Sequence, residues 1–417
     1  MAVKIRILGA ANKHMQRLGY LKFIAAESTR RETSRLEGLG RPLVNAVMKR
    51  LRLTPPYESA LREYVRSLAG PAYADIRHAI ANNAPTRATV ELQDLYLADP
   101  KIPSATGKLN ADSWEKYPYF ATALDLIKSG TWSAMTRSLT LLCLVNPDEL
   151  AAFSEFLPLH NPLLISREQG TLFLYCLIDH DAEILFRLFK ALIQLPEHSF
   201  DEKTAGNMLP DIIKDTVRVF SRASLPVEDR ERLGHLEKVA GTIASYRNRN
   251  YSGTTAREVS VRVRLEPFTD IGFFTKKVRH RFVYQITPSF RQLMDSWSEP
   301  EDTDLLLRDK FFATVAKMHG LAAVPAADNE ARDALRTAGE QLQSSLGYSP
   351  IDDCALLAGI RLLFEKNRIL ELNSSTAILR AWQKSAPEAV RFTVDRMGDL
   401  AYVKFLKPVS SVTHAQT

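Results

Sequence analysis

Two groups of cations in this chain are spaced to meet a polyanion. Residues 276–281 supply Lys276, Lys277, Arg279 and Arg281, and the stretch 228–249 supplies Arg230, Arg232, His235, Lys238, Arg247 and Arg249. Ammonium and guanidinium groups bond phosphate oxygens, and Arg also bonds paired acceptors on a guanine edge. That chemistry is recognition, with no bond broken. Patterns that could break bonds fail on inspection. Pro103-Ser-Ala-Thr-Gly-Lys108 resembles a phosphate loop, but Ile102 stands where the first Gly belongs and Leu109 where Ser or Thr belongs. Asp179, His180 and Asp181 are consecutive, so a regular helix cannot aim all three at one metal ion. There is no Gly-x-Ser-x-Gly elbow, no Cys beside a His, and no strand pair with the two acids and Lys of a metal-dependent nuclease. The expectation is a non-enzyme with no catalytic residues, metal or cofactor. A site assembled from distant residues stays open.

The elements that must carry these cations follow from periodicity. Residues 209–222 and 226–247 read as two helices parted by Ala223-Ser-Leu-Pro226, and Ile184–Leu195 has firm helical spacing. Then the period changes. Val259, Val261, Val263 and Leu265 alternate with polar residues, as do Phe282, Tyr284 and Ile286, which predicts two strands. Between them lie the apolar turn of Leu265–Phe274 and the basic hairpin, and Thr287-Pro288 starts a helix. Further on, Ser349-Pro350 opens a helix to Arg368, and Asn373-Ser374 caps another to about Ser385. Val390–Val394 and Leu400–Lys404, joined by Asp395–Asp399, read as a hairpin.

Helices followed by a strand, an apolar turn, a basic hairpin, a strand ending in Thr-Pro and a closing helix resemble the winged-helix superfamily. The residues are RLEPFTDIGFF, TKKVRHR and FVYQITPSFRQLMDS within 166–297, and 349–407 carries a weaker version. The resemblance implies that the helix 228–249 is a recognition helix entering a major groove, with Lys276, Lys277, Arg279 and Arg281 on phosphates. The expected fold class is mainly α with small β-hairpins, a multi-domain helical protein with one or two winged-helix-like modules. The expected divisions are a basic helical region 1–112, a helical domain 113–300 ending in the first module, a helical linker 301–348, a second module 349–407, and a disordered tail 408–417.

Composition sets limits on partners. Lys and Arg outnumber Asp and Glu by 55 to 48 over 417 residues, for a net charge of +7. The excess is local: residues 1–52 hold twelve Lys or Arg against Glu27, Glu32 and Glu37. The separated Cys143, Cys176 and Cys354 fit neither a disulfide framework nor a zinc site and suit a reducing compartment. The N-terminus lacks the apolar core of a signal peptide, and Leu139–Val145 is far short of the roughly 20 residues of a span. A cytoplasmic protein is expected, with double-stranded DNA and other protein subunits as partners and neither a membrane nor a small-molecule substrate. The expected function is a non-catalytic DNA-binding subunit or adaptor of a larger bacterial-type complex. The alternatives are a scaffold whose modules dock partner subunits and, third, a nuclease or other enzyme with dispersed residues.

Overall fold

The computed structural model describes residues 6–8, 18–30, 117–128, 135–145, 165–221, 225, 227–245, 256–278, 282–394 and 400–406. The chain divides into two compact units, Met1–Thr303 and Asp304–Thr417. The described residues are mostly helical with small sheets, mainly antiparallel. No helix among them is long and apolar enough to cross a membrane.

In the first unit the helices are α1 (Gly19–Arg30), α2 (Tyr117–Ala123), α3 (Thr136–Cys143), α4 (Arg167–Ile193), α5 (Glu202–Phe220), α6 (Val227–Ser245), α7 (Ala256–Asp270) and α8 (Pro288–Ser296). Three strands, β1 (Ser199–Asp201), β2 (Phe274–Val278) and β3 (Phe282–Ile286), form an antiparallel sheet in the order β1-β3-β2. α4 opens with a reciprocal cap. The Ser166 hydroxyl accepts the Gln169 N–H (3.2 Å), and the Gln169 side chain accepts the Ser166 N–H (3.1 Å). The helix continues through Asp179-His180-Asp181. It bends there, with Asp181 at φ −135° and ψ 19°. The Glu183 N–H at the bend donates to the Arg6 carbonyl (3.2 Å).

α7 corrects the largest expectation. Residues 259–265, which alternate like a strand, lie in a helix. Period two marks a strand only when one face is wet and the other dry. Here Val261, Val263 and Leu265 are buried, and the charged residues between them are enclosed too. A helix turns about 100° per residue, so Arg262 and Glu266 share a side while Arg264 points away from both. The partners match. Arg262 meets Glu202 on α5, Glu266 meets Lys276 on β2, and Arg264 meets Asp181 on α4. On a strand all three would face one neighbour.

The apolar turn that follows is core. Phe268, Phe273 and Phe274 are buried with Phe189 and Phe290. Phe189 sits edge-on to Phe268 and to Phe290, each at 4.8 Å between centroids. Gly272, at φ +88°, permits the reversal into β2. The Thr287 hydroxyl lies 3.0 Å from the Gly272 and Phe273 carbonyls and ties the start of α8 to that turn.

The second unit starts with a π-helical turn, Leu306–Lys310, and continues as α9 (Phe311–Met318), β4 (Val324–Pro325), α10 (Asp328–Leu342), β5 (Ser349–Pro350), α11 (Ile351–Lys366), β6 (Arg368–Ile369), α12 (Leu372–Ser385), β7 (Val390–Val394) and β8 (Leu400–Phe405). Its antiparallel sheet has the order β5-β8-β7, and β4 pairs with β6 in parallel. Of the expected linker 301–348, residues 304–348 belong to this compact unit. Leu335, Ala338 and Leu342 of α10 are buried, and the Ser349 hydroxyl donates to the Gly339 carbonyl (2.7 Å). α11 is tightly enclosed: a methyl at Gly359 would overlap the Phe312 ring and come within 2.9 Å of the Leu370 carbonyl.

The cap of α12 also differs from expectation. The helix begins at Leu372, so Asn373 and Ser374 lie inside it, and Glu371 takes the cap position. The Glu371 carboxylate serves another helix, accepting the Phe312 N–H (3.0 Å) and the Ala313 N–H (2.8 Å) in the first turn of α9. Burial pushes its pKa up to about 6 from 4.5, against the pull of those N–H groups. Between about pH 4.5 and 6 the folded chain thus keeps a proton that the unfolded chain has lost. Stability falls as pH rises through this window and levels off above it, by at most about 2 kcal/mol. In chemical denaturation the advantage of wild type over Glu371→Gln should shrink between pH 4.5 and 7. An advantage that stays constant over that range would refute the assignment.

Candidate nucleic-acid interface

The sequence-derived cations fall into three groups. On α6, Arg230 and Lys238 are exposed, while Leu233, Leu236 and Ala240 form the buried stripe. Arg232 and His235 lie on the same helix, but their side chains are outside the described residues, as are Arg247, Arg249, Arg279 and Arg281 altogether. Lys277 lies on β2 with its side chain likewise outside.

Lys276 corrects the expectation of a phosphate contact. Its side chain is 6% exposed, and the ammonium lies 2.7 Å from Glu266, which is fully buried. The cause is register. Lys276 pairs with Tyr284 across β2 and β3 on the face that covers α7, whereas Thr275 on the opposite face is exposed. Two adjacent lysines on a strand face opposite ways, so at most one belongs to a solvent-facing wing.

Lys276 belongs to a buried polar cluster that the sequence did not suggest. The Tyr284 hydroxyl contacts the carboxylates of Glu202 (2.9 Å) and Glu266. Arg262 holds Glu202 through two guanidinium nitrogens, one at 2.7 Å from Nε. Burial, then the Glu266 and Glu202 charges, push the Tyr284 pKa well above its usual value, so the phenol stays protonated. Burial opposes the Arg262 charge, but the Glu202 hydrogen bond and charge outweigh it and strengthen its hold on the proton. On the other side of α7, Arg264 grips Asp181 (2.7 and 3.3 Å), which also accepts the Leu8 N–H (2.9 Å). Burial pushes Asp181 upward in pKa against Arg264. These groups are sealed from solvent and hold protons and charges in fixed pairs, the work of a structural cluster. Among the described residues no group of His, Cys, Asp or Glu is arranged to hold a metal ion. Cys176 and Cys354 are buried in helices, Cys143 is half-buried, and burial pushes the Cys354 thiol up. The Pro103–Lys108 segment lies outside the described residues.

The second unit presents cations that sequence reasoning passed over. Arg380 and Lys384 are exposed one turn apart on α12, and Arg391 is exposed on β7. Their signal was an i, i+4 basic pair beside the buried Leu379 and Trp382. No protein-family model matches the chain, and neither the curated proteins nor the solved structures yield a similar one.

Removing a buried charge partner strands the other. Lys276→Ala should therefore cost about 3–5 kcal/mol of stability of the first unit. The measurement is denaturant unfolding; a change under 1 kcal/mol, roughly the value of an exposed lysine, would contradict the burial.

Proposed function

We propose that this chain is a non-catalytic subunit or adaptor that binds double-stranded DNA, using two winged-helix-like modules within a larger bacterial-type complex. One observation carries the reading: in each unit a short strand leads through helices to a hairpin and pairs with the hairpin's last strand. In the first unit a helix (α4), a short strand (β1), further helices (α5 to α7) and a hairpin (β2–β3) follow one another, and the first strand lies beside the last. In the second unit α10, β5, α11, β6, α12 and β7–β8 follow one another, β6 pairing with β4 outside this sheet, and the first strand again lies beside the last. This order is similar to that of winged-helix domains, in which the helix before the hairpin reads the groove and the hairpin touches the backbone.

The order shifts the recognition position of the first module from α6 to α7. α7 is enclosed, and its arginines are held by Glu202 and Asp181. A groove-reading role there has no free cation among residues 261–270. That burial favours a second reading for the first module, a docking or scaffolding body. The DNA contacts left to it are Arg230 and Lys238 of α6 and the hairpin cations beyond Lys276.

A labelled duplex of about 30 base pairs, titrated by anisotropy at several salt concentrations, tests the reading. Wild type should bind with log affinity falling linearly in log salt, by about 0.9 per phosphate neutralised. Lys277→Ala/Arg279→Ala/Arg281→Ala should weaken binding and flatten that slope. The duplex should stay intact with magnesium present. No binding by wild type at low salt would sink the DNA reading and leave the scaffold.

A further inference from the structure

The β5-β8-β7 sheet of the second unit leaves one aromatic ring in water on its outer face. Residues opposite one another in an antiparallel pair point to the same side, and neighbours along a strand point to opposite sides. The register therefore sorts the sheet into two faces. Val390 and Val403 are buried on the inner one, together with Phe405, whose ring lies 5.8 Å from Trp382 of α12 and against Gly339 of α10. The outer face carries Tyr402 opposite Thr393 and Pro350, and Lys404 opposite Arg391. Tyr348, two residues before Pro350, lies on this side too, its ring centre 5.2 Å from the Lys404 ammonium. Tyr402 stands on the central strand and is 45% exposed, with no ring contact among the described residues. Arg391 is exposed. The Lys404 ammonium meets the Leu346 carbonyl (3.0 Å) and the Tyr348 ring, neither of which carries a full negative charge. None of these outer-face positions is acidic, and Glu388, two residues before β7, is the acid closest to them in sequence among the described residues.

We infer that this sheet face is a platform for single-stranded nucleic acid, with an unpaired base stacked on Tyr402 and the strand's phosphates met by Arg391 and Lys404. The inference goes beyond the duplex reading above and does not need it. Every base has a flat π face, which a duplex hides inside its stack and a single strand offers. Outward residues that follow one another on a strand lie roughly 6.5 Å apart, and cross-strand partners about 5 Å apart. Ring and cations therefore fall within reach of one nucleotide and its flanking phosphate. Thr393 and Pro350, the partners of Tyr402, are short, so the ring stands clear for a base. Arg391 and Lys404 face each other across the strands, where like charges repel, and a phosphate between them removes that cost. An acidic peptide would use the two cations and leave Tyr402 wet, whereas a nucleotide uses both. The face has no Asn or Gln among these positions, and stacking tolerates any base, so strands of different sequence should be held alike.

The test titrates the full chain into a labelled oligothymidylate of about 12 nucleotides, read by anisotropy over a salt series, with an oligouridylate beside it to separate DNA from RNA strands. Tyr402→Thr removes the ring and keeps a residue suited to an exposed strand position, so its thermal midpoint should hold. It should bind about 5- to 100-fold more weakly than wild type, with the salt slope unchanged. Tyr402→Phe keeps the ring and should bind like wild type. Arg391→Gln should flatten the slope by about 0.7, the value for one phosphate of a single strand. The labelled duplex, measured alongside, should bind Tyr402→Thr as it binds wild type. Single-strand binding that Tyr402→Thr weakens and Tyr402→Phe retains upholds this site even where no duplex binding is seen. Duplex binding with no oligonucleotide binding overturns it and leaves the duplex reading standing. The inference also falls if Tyr402→Thr matches wild type, if Tyr402→Phe loses as much as Tyr402→Thr, if Arg391→Gln leaves affinity and slope untouched, or if Tyr402→Thr weakens strand and duplex equally. Displacement of the strand by poly-glutamate as readily as by unlabelled oligothymidylate would assign the face to an acidic protein instead.

Discussion

The first unit depends on keeping one charged helix dry. α7 carries two arginines and a glutamate into an interior where an unpaired charge is prohibitively costly. Each therefore requires a counter-charge from a different element: Glu202 at the start of α5, Asp181 at the bend of α4, and Lys276 on β2. The helix can sit at only one depth and one rotation and still satisfy all three. Hydrophobic residues alone would tolerate a slide of a turn, since Val261, Val263, Leu265 and Phe268 leave apolar surface on several sides. The ion pairs add little net stability over apolar replacements, and their contribution is register.

The same requirement explains why parts of this unit were legible in the sequence and others were not. Most of α5 and α6, the strand Phe282–Ile286 and the helix opened by Pro288 follow from local pattern and agree with it. Their outer faces meet water, so hydrophobic period and secondary structure coincide. α7 broke the rule because its polar residues face protein. Its sequence, Arg-Glu-Val-Ser-Val-Arg-Val-Arg-Leu-Glu, alternates along the chain and encodes three directions around a helix. Lys276 failed for the matching reason, since a lysine reads as solvent-facing until a buried glutamate ten residues away is seen to claim it. In the second unit the elements from Ser349 onward were readable, while the long-range use of Glu371 as a cap for a helix some 60 residues earlier had no local trace.

The two units treat the same position in opposite ways. The helix before the hairpin in the first is enclosed and internally neutralised, and in the second it leaves Arg380 and Lys384 in water. Local packing accounts for the contrast. α12 is anchored along one edge by Leu379 and by Trp382, whose ring is 5.8 Å from Phe405 and capped by the Arg336 guanidinium at 5.0 Å. That edge is sufficient, so the other edge needs no cover. α7 has apolar side chains on more than one side and must be surrounded.

Enclosure also fixes what the first unit can do at a surface. The first unit can meet an anion only through cations its core does not consume, and here the core consumes Arg262, Arg264 and Lys276. Counting basic residues along 257–281 therefore overstates the polyanion-facing charge of that stretch. Arg230, exposed on α6, escapes this accounting. In the second unit Arg380, Lys384 and Arg391 escape it as well. Charge left over after internal pairing, rather than charge in the sequence, decides which face of such a protein an anion meets.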